Sequence, residues 1–246
     1  MLKTRQLCIS TDQRTLIEKL DWEVQRGEFW CVLGKNGAGK TSLLHTLAGA
    51  AAPAKGEITL NEKNITELDA LTLSRCRGLM LQSHMDAFNE SVFNVVAIAR
   101  TPYRSGKSWD TVADSDAVIH ALQRVDLEEK VNASITELSS GERQRVALAA
   151  LMVQSPGVML LDEPTSHQDV AYQLKTMRLL FELAKQHAVI ASCHDINHAA
   201  NFATHVLLIG EQQHWQGPVE EVLDEARLGV VFSCGFRREG QHWMAY

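Results

Sequence analysis

The chain has 246 residues, 45% of them hydrophobic, and carries a formal net charge of −6. That length and apolar content support one large globular domain or two intimate lobes and exclude a disordered chain, while the acidic balance argues against a protein devoted to nucleic-acid backbones. Apolar runs such as Val92 to Ala99 and Val158 to Leu161 are too short or too interrupted to span a bilayer, and Met1-Leu2-Lys3 does not read as a secretory leader.

In chain order, Leu7 to Ser10, Leu20 to Val24, Phe29 to Leu33 and Gly56 to Leu60 are short β-capable runs separated by turn residues. Directly after the third comes Gly34-Lys35-Asn36-Gly37-Ala38-Gly39-Lys40-Thr41, a G-x-x-x-x-G-K-T run between an apolar strand and a helix that buries Leu43, Leu44 and Leu47. Its glycines let the backbone curl so that successive N–H groups face phosphate oxygens. Lys40 then reaches the outer phosphates, the Thr41 hydroxyl is placed for Mg²⁺, and Ser42 joins the same contact set at the positive end of the helix. The ligand this implies is a nucleoside triphosphate.

Asp114 to Leu127 turns helical, with Ala117, Leu122 and Val125 near one face, inside a helical insertion expected over about residues 84–155. Within it, Ser139 with Glu142 three residues on is a capping box, so a helix with free N-terminal amides begins there and runs on through Arg145 to Gln154, with Val146, Ala150 and Val153 on one face. Val158 to Leu161 and Ala188 to Ala191 read as buried parallel strands flanking a helix through Leu174 to Leu183. The tail predicts a hairpin from Val206 to Gln216, a helix start at Pro218, and short strands near Phe236 and Trp243. Five scattered cysteines, Cys8, Cys31, Cys76, Cys193 and Cys234, form no C-x-x-C pair and fit buried structural thiols.

The apolar strand Val158 to Leu161 ends in Asp162-Glu163, where Asp162 could hold Mg²⁺ and Glu163 could polarise a water for attack on a γ-phosphate. Adjacent side chains on a regular strand point to opposite faces, so the pair is poorly suited to glycosidase-type chemistry unless the backbone turns at Glu163, as Pro164 suggests. Cys193-His194-Asp195-Ile196-Asn197-His198 offers a competing reading, two histidines at i, i+4 that would suit zinc if helical, although no Glu occupies the H-E-x-x-H position. His198 and His205 read as helix-surface or packing residues.

Leu138 to Gln144, with its spacing to Asp162, resembles the signature motif of ATP-binding-cassette (ABC) ATPases. The resemblance covers nearly the whole chain and its motifs keep the family's order: phosphate loop Gly34 to Thr41, Gln82, signature, Asp162-Glu163, His194. It implies an α/β P-loop NTPase with a RecA-like mixed-sheet core and an N-terminal antiparallel β subdomain (residues 1–83 and 156–246), a helical subdomain at 84–155, and a single ATP-binding domain over 1–246. By the same resemblance Gln82 touches Mg²⁺ and the attacking water, His194 steadies the γ-phosphate, and Ser166 to Asp169 cross a dimer interface. Two head-to-tail copies would sandwich ATP, the phosphate loop of one facing Ser139 and Gly141 of the other.

Three positions depart from the family pattern. Thr11 stands where an aromatic usually stacks on adenine, which would weaken nucleotide binding by about ten- to a hundredfold; Ser140 replaces the second signature glycine, and Gln168 occupies a usually apolar place. The segment Ser91 to Tyr103 is similar to that of importers of iron siderophores, haem and cobalamin. This implies a peripheral ATPase subunit on the cytoplasmic face of the inner membrane, partnered by integral membrane permease subunits and, indirectly, a substrate-binding protein, with no nucleic acid. Met80, Met85, Phe88, Phe93 and Tyr103 are candidates for the permease contact or for core. A soluble ABC ATPase acting on DNA or ribosomes, an exporter half and a regulatory cassette without turnover stay open as alternatives.

Overall fold

The computed structural model describes residues 1–11, 14–82, 89–103, 112–211 and 213–246. The chain opens with an antiparallel pair, β1 (Leu2–Ser10) and β2 (Thr15–Val24), in which a register shift near Gln6 (φ 47°) moves the inward set from Leu2 and Thr4 to Leu7 and Ile9. β3 (Phe29–Gly34) is buried along its length because both faces are covered: Phe29, Cys31 and Leu33 enter one core cluster, Trp30 and Val32 the other. The phosphate loop leads from it into α1 (Lys40–Leu47), which buries Leu43, Leu44 and Leu47. β4 (Lys55–Leu60), β5 (Lys63–Asn64), α2 (Ala70–Cys76) and β6 (Arg77–Met80) follow.

The next stretch is helical: α3 (Val92–Ala97), α4 (Val112–Arg124) and α5 (Ser140–Gln154), joined by 3₁₀ turns, with an isolated bridge between Ser91 and Ser134 the only β pairing among the described residues there. Val92, Val96, Val118, Leu122, Val146 and Leu151 bury into the same cluster as Phe29. Then come β7 (Val158–Leu161), α6 (Val170–Ala184), β8 (Ala188–Ser192), α7 (Ile196–Phe202), the hairpin β9 (His205–Ile209) and β10 (His214–Pro218), α8 (Val219–Val222), α9 (Glu225–Phe232), and a final hairpin β11 (Phe236–Glu239) and β12 (His242–Ala245).

One six-stranded sheet has the order β10-β9-β3-β8-β7-β6, parallel from β9 to β6 with β10 antiparallel at its edge; a four-stranded antiparallel sheet has the order β2-β1-β4-β5. This is the mixed α/β architecture expected from the sequence, and it gives β3 a parallel neighbour on each side, β9 and β8.

The differences from expectation have local causes. α4 stops at Arg124 because Asp126 takes a left-handed conformation (φ 54°), and α6 starts four residues earlier than expected because the Asp169 carboxylate caps Tyr172 N at 3.0 Å. On α5 Ala150 is half-buried while Leu148, Ala149 and Leu151 go inside. Only Cys31 and Cys193 are buried, with sulfurs 3.3 Å apart; Cys8 and Cys76 are half-buried and Cys234, in the turn after α9, is exposed, which corrects the expectation of five buried thiols.

Candidate nucleotide site

The carboxyl ends of β3, β6, β7 and β8 lie side by side in the parallel sheet, which is where open α/β sheets place their ligands. An open cleft of about 850 Å³ sits there. The phosphate loop and α1 contribute Asn36, Gly37, Gly39, Lys40, Thr41 and Ser42 to its lining; the ends of β6, β7 and β8 contribute Gln82, Glu163 and His194; the residues just after β1 and at the start of β2 contribute Thr11, Arg14 and Leu16.

Gly39 is the N-cap of α1 at φ 102°, with no side-chain cap and no acidic residue in the first turn. A Cβ at Gly39 would stand 2.9 Å from Leu16 Cβ, so both the backbone angle and the packing require glycine. The uncapped amides and the positive helix end make an anion site. Lys40 is only 6% exposed, and its ammonium donates to the carbonyl oxygens of Gly34 (2.8 Å) and Lys35 (3.1 Å). Burial lowers its pKa, and the charges of Glu163 and Asp162 oppose that. Gly34, Lys35 and Ala38 lie outside the cleft lining; the Lys35 ammonium donates instead to Ser233 Oγ at 2.6 Å, beyond the end of α9.

Asp162 continues the ladder, its N–H donating to Met80 O at 2.9 Å, and its side chain is 1% exposed. Ser192 Oγ donates to Asp162 Oδ1 at 2.7 Å and accepts from Glu163 N at 2.8 Å. The chain then turns at Glu163 (φ 49°), which brings the Glu163 carboxylate into the cleft. There Oε2 accepts from Gln82 Nε2 at 2.5 Å and Oε1 is held by His194 Nε2. The Glu163 carbonyl accepts from Gln144 of α5 (3.1 Å) and from Ser166 (2.9 Å). His194 falls between β8 and α7, so it and His198 do not share a helix and the i, i+4 zinc geometry is not formed. His198 packs edge-on to Phe202, and His205, on β9, stacks on Trp30 at 4.6 Å.

Residues 17–166 match the ABC transporter family. The chain belongs to that family. It is 36% identical over 239 residues to the hemin import ATP-binding protein HmuV of Pseudomonas aeruginosa, covering 94% of this chain and 92% of that one. To the petrobactin import ATP-binding protein FpuD of Bacillus anthracis it is 32% identical over 235 residues, 94% of this chain and 86% of that one. Its fold matches a chain of an inward-facing ABC transporter assigned to the metal-chelate type with a TM-score of 0.83, at 24% identity, over 100% of this chain and 95% of that one. This ABC cassette is thus an ATPase with a phosphate-loop fold that binds ATP.

In the cassette, Ser139 caps α5: Ser139 Oγ accepts from Glu142 N (3.2 Å), and Ser139 N donates to Glu142 Oε2 (2.8 Å). A hydrogen bond from Lys130, at 2.7 Å, and the Ser139 amide hold the Glu142 pKa down to about 2. A Cβ on Gly141 would lie 2.8 Å from the carbonyl oxygen of His167, so the signature glycine is required by the loop that packs on it. Neither Ser139 nor Gly141 lines the cleft within one chain. Gln168 is accommodated at its usually apolar place by hydrogen bonds, accepting from Thr176 Oγ1 (2.9 Å) and donating to Pro164 O (3.2 Å).

Arg14, Leu16 and Ser192 escaped the reading of the sequence, and Gln144 was read only as the end of the signature segment. Ser192 carried a signal, a lone hydroxyl at the end of an apolar strand just before His194. The structure buries Gln144 in the first turns of α5, where it reaches the Glu163 carbonyl. Of the candidate permease contacts, Met80 is core, Phe93 is half-buried against it, and Tyr103 is 37% exposed between Arg75 and Arg100, whose guanidinium groups lie 5.6 and 4.6 Å from its ring centre. Met85 and Phe88 lie outside the described residues.

Proposed function

We propose that this cassette is the ATP-hydrolysing subunit of a binding-protein-dependent importer for a metal chelate, a ferric siderophore, haem or cobalamin. It works as a head-to-tail homodimer on integral membrane permease subunits at the cytoplasmic face of the inner membrane, with residues 84–155 as a helical subdomain within one ATP-binding domain. The import reading is supported by the likeness to hemin and petrobactin import proteins over 94% of the chain. No helix among the described residues is long and apolar enough to cross a membrane, which leaves the translocation path to a partner.

The observation that carries the catalytic reading is the Glu163 carboxylate held between Gln82 and His194 at the cleft that also contains Lys40 and Thr41. Glu163 is the general base for the attacking water. Its two oxygens are occupied in the free chain, so Gln82 and His194 must swing from Glu163 toward the γ-phosphate and the water as the site closes. Lys40 exchanges its bonds to the loop carbonyls for the outer phosphates, which offer a charged acceptor in place of two neutral ones. Ser139 and Gly141 of a second copy close the site, because the N-terminal end of α5 that carries them stands outside the chain's own cleft.

Mg²⁺ suits the donors present, the Thr41 hydroxyl, the Gln82 amide oxygen and the Asp162 carboxylate, all hard oxygen ligands. Gln82 donates through its nitrogen to Glu163, which leaves its oxygen for such a role. When bound, Mg²⁺ supplies charge neutralisation on the phosphates. Proteoliposomes carrying this chain with a candidate metal-chelate permease and its binding protein provide the test. The reading predicts ATP-dependent uptake of one of these chelates, delivered by its binding protein. ATPase stimulation by DNA or ribosomes, with none by the permease, would replace it with the soluble alternative.

A further inference from the structure

The cleft has one end equipped for chemistry and one end without an assigned partner. Gln82, Glu163 and His194 hold the reacting end, and the amides of α1 hold the phosphates, so the nucleoside of a bound ATP must extend along the remaining lining, which is Thr11, Arg14 and Leu16. Among the described residues no Phe, Tyr or Trp lines this end, and neither residue 12 nor residue 13 is aromatic. A purine left against Thr11 and Leu16 alone would have a small hydroxyl and an aliphatic chain to cover a flat π face.

Arg14 is the group there with a planar surface. Its Nη2 donates to Gly37 O at 2.7 Å, which lays the guanidinium over the phosphate loop. Its backbone is fixed as well: Thr11 N donates to Arg14 O at 2.9 Å, and Arg14 N donates to Thr11 Oγ1 at 3.3 Å, so Arg14 is tied to the end of β1. A guanidinium is flat, delocalised and weakly hydrated and stacks on aromatic faces, which a lysine ammonium does not do.

We infer that Arg14 is the base-binding residue of this cassette, its guanidinium plane covering one face of the adenine in place of an aromatic ring. The inference rests on the reading of the cleft as the ATP site. The Gly37 bond orients the plane, and Leu16 supplies apolar contact beside it. Stacking is shared by all purines, so GTP is held nearly as well as ATP through this contact.

The test is calorimetric titration of the full chain with ATP and, separately, with inorganic tripolyphosphate, which has the same phosphate tail and no base. Arg14→Ala is expected to weaken ATP about tenfold while leaving tripolyphosphate within about twofold. Arg14→Tyr restores ATP affinity, and Arg14→Lys, which keeps the charge and loses the plane, does not. In hydrolysis the alanine variant raises KM and leaves kcat unchanged. Equal weakening of ATP and tripolyphosphate, or full rescue by Arg14→Lys, overturns the inference in favour of a phosphate contact. Failure of the unaltered chain to bind either ligand would instead remove the site reading itself. Arg14 is exposed, and the tyrosine and lysine variants carry the comparison if alanine perturbs the loop.

Discussion

Ser192 and Asp162 share a 2.7 Å hydrogen bond between side chains that are 0% and 1% exposed. The same hydroxyl accepts from the amide of Glu163, so one oxygen fixes the carboxylate assigned to Mg²⁺ and the backbone turn that aims the base. Removing it leaves a buried carboxylate short of a donor, which costs about 1–3 kcal/mol. Ser192→Ala should therefore lower the urea midpoint and reduce kcat by about ten- to a hundredfold, with nucleotide binding in EDTA little changed. An alanine variant with full kcat at saturating Mg-ATP would contradict this positioning role.

His194 holds one oxygen of the Glu163 carboxylate and Gln82 the other. Loss of a positioned polar group at a reacting centre typically costs about 10²–10⁴ in rate. His194→Ala is expected to fall in that range in kcat with an ATP Kd within about threefold of the unaltered chain, because Lys40 and the α1 amides, to which phosphate binding is assigned, are untouched. Steady-state kinetics together with equilibrium binding separate the two quantities. A Kd that worsens while kcat at saturating ATP is kept would place His194 in binding alone.

Gly141 approaches the His167 carbonyl so closely that a Cβ would stand 2.8 Å from its oxygen. Gly141→Ala forces the loop from Ser166 to Asp169 to move, at a cost of about 1–3 kcal/mol for overpacking. The isolated variant should bind ATP normally, since residue 141 lies outside its own cleft, while ATPase activity is lost because the second copy can no longer seat. Retained activity with a normal concentration dependence would show that the contact is dispensable.

Glu142 has its pKa held at about 2, against an ordinary value of 4.5, first by the hydrogen bond from Lys130 and then by the Ser139 amide. A depressed carboxylate pKa stabilises the fold fully above the ordinary value, and that contribution is lost as pH falls toward the folded value. Lys130 is 45% exposed, so solvent screens the pair and the expected contribution is about 1 kcal/mol. Glu142→Gln keeps an acceptor for the capping box but loses the charge. The stability gap between the two proteins in urea should be widest near pH 7 and should close as pH drops below 4.5; a gap independent of pH would assign the effect to packing.

Much of this arrangement was visible in the sequence because the decisive groups follow short apolar runs. The loop after Phe29 to Leu33, the carboxylates after Val158 to Leu161 and His194 after Ala188 to Ala191 are strand ends, and a parallel sheet brings strand ends together whatever lies between them. What stayed hidden depends on contacts between distant segments. Ser192 gains its meaning from Asp162, and Gln144 from the Glu163 carbonyl. Arg14 gains its own from Gly37. The end of α4 was misplaced because nothing local in the sequence marks Asp126 as left-handed, and three cysteines read as buried lie at partly or fully exposed positions for the same reason: burial is decided by neighbours remote in sequence.

The central claim is that Glu163 is the base of a site completed by a second copy of the chain, and sedimentation velocity of Glu163→Gln with Mg-ATP addresses it most directly. The account predicts that this variant hydrolyses no ATP and sediments as a dimer in ATP and as a monomer in ADP. A variant that stays monomeric in ATP, or one that turns ATP over at the rate of the unaltered chain, would contradict it.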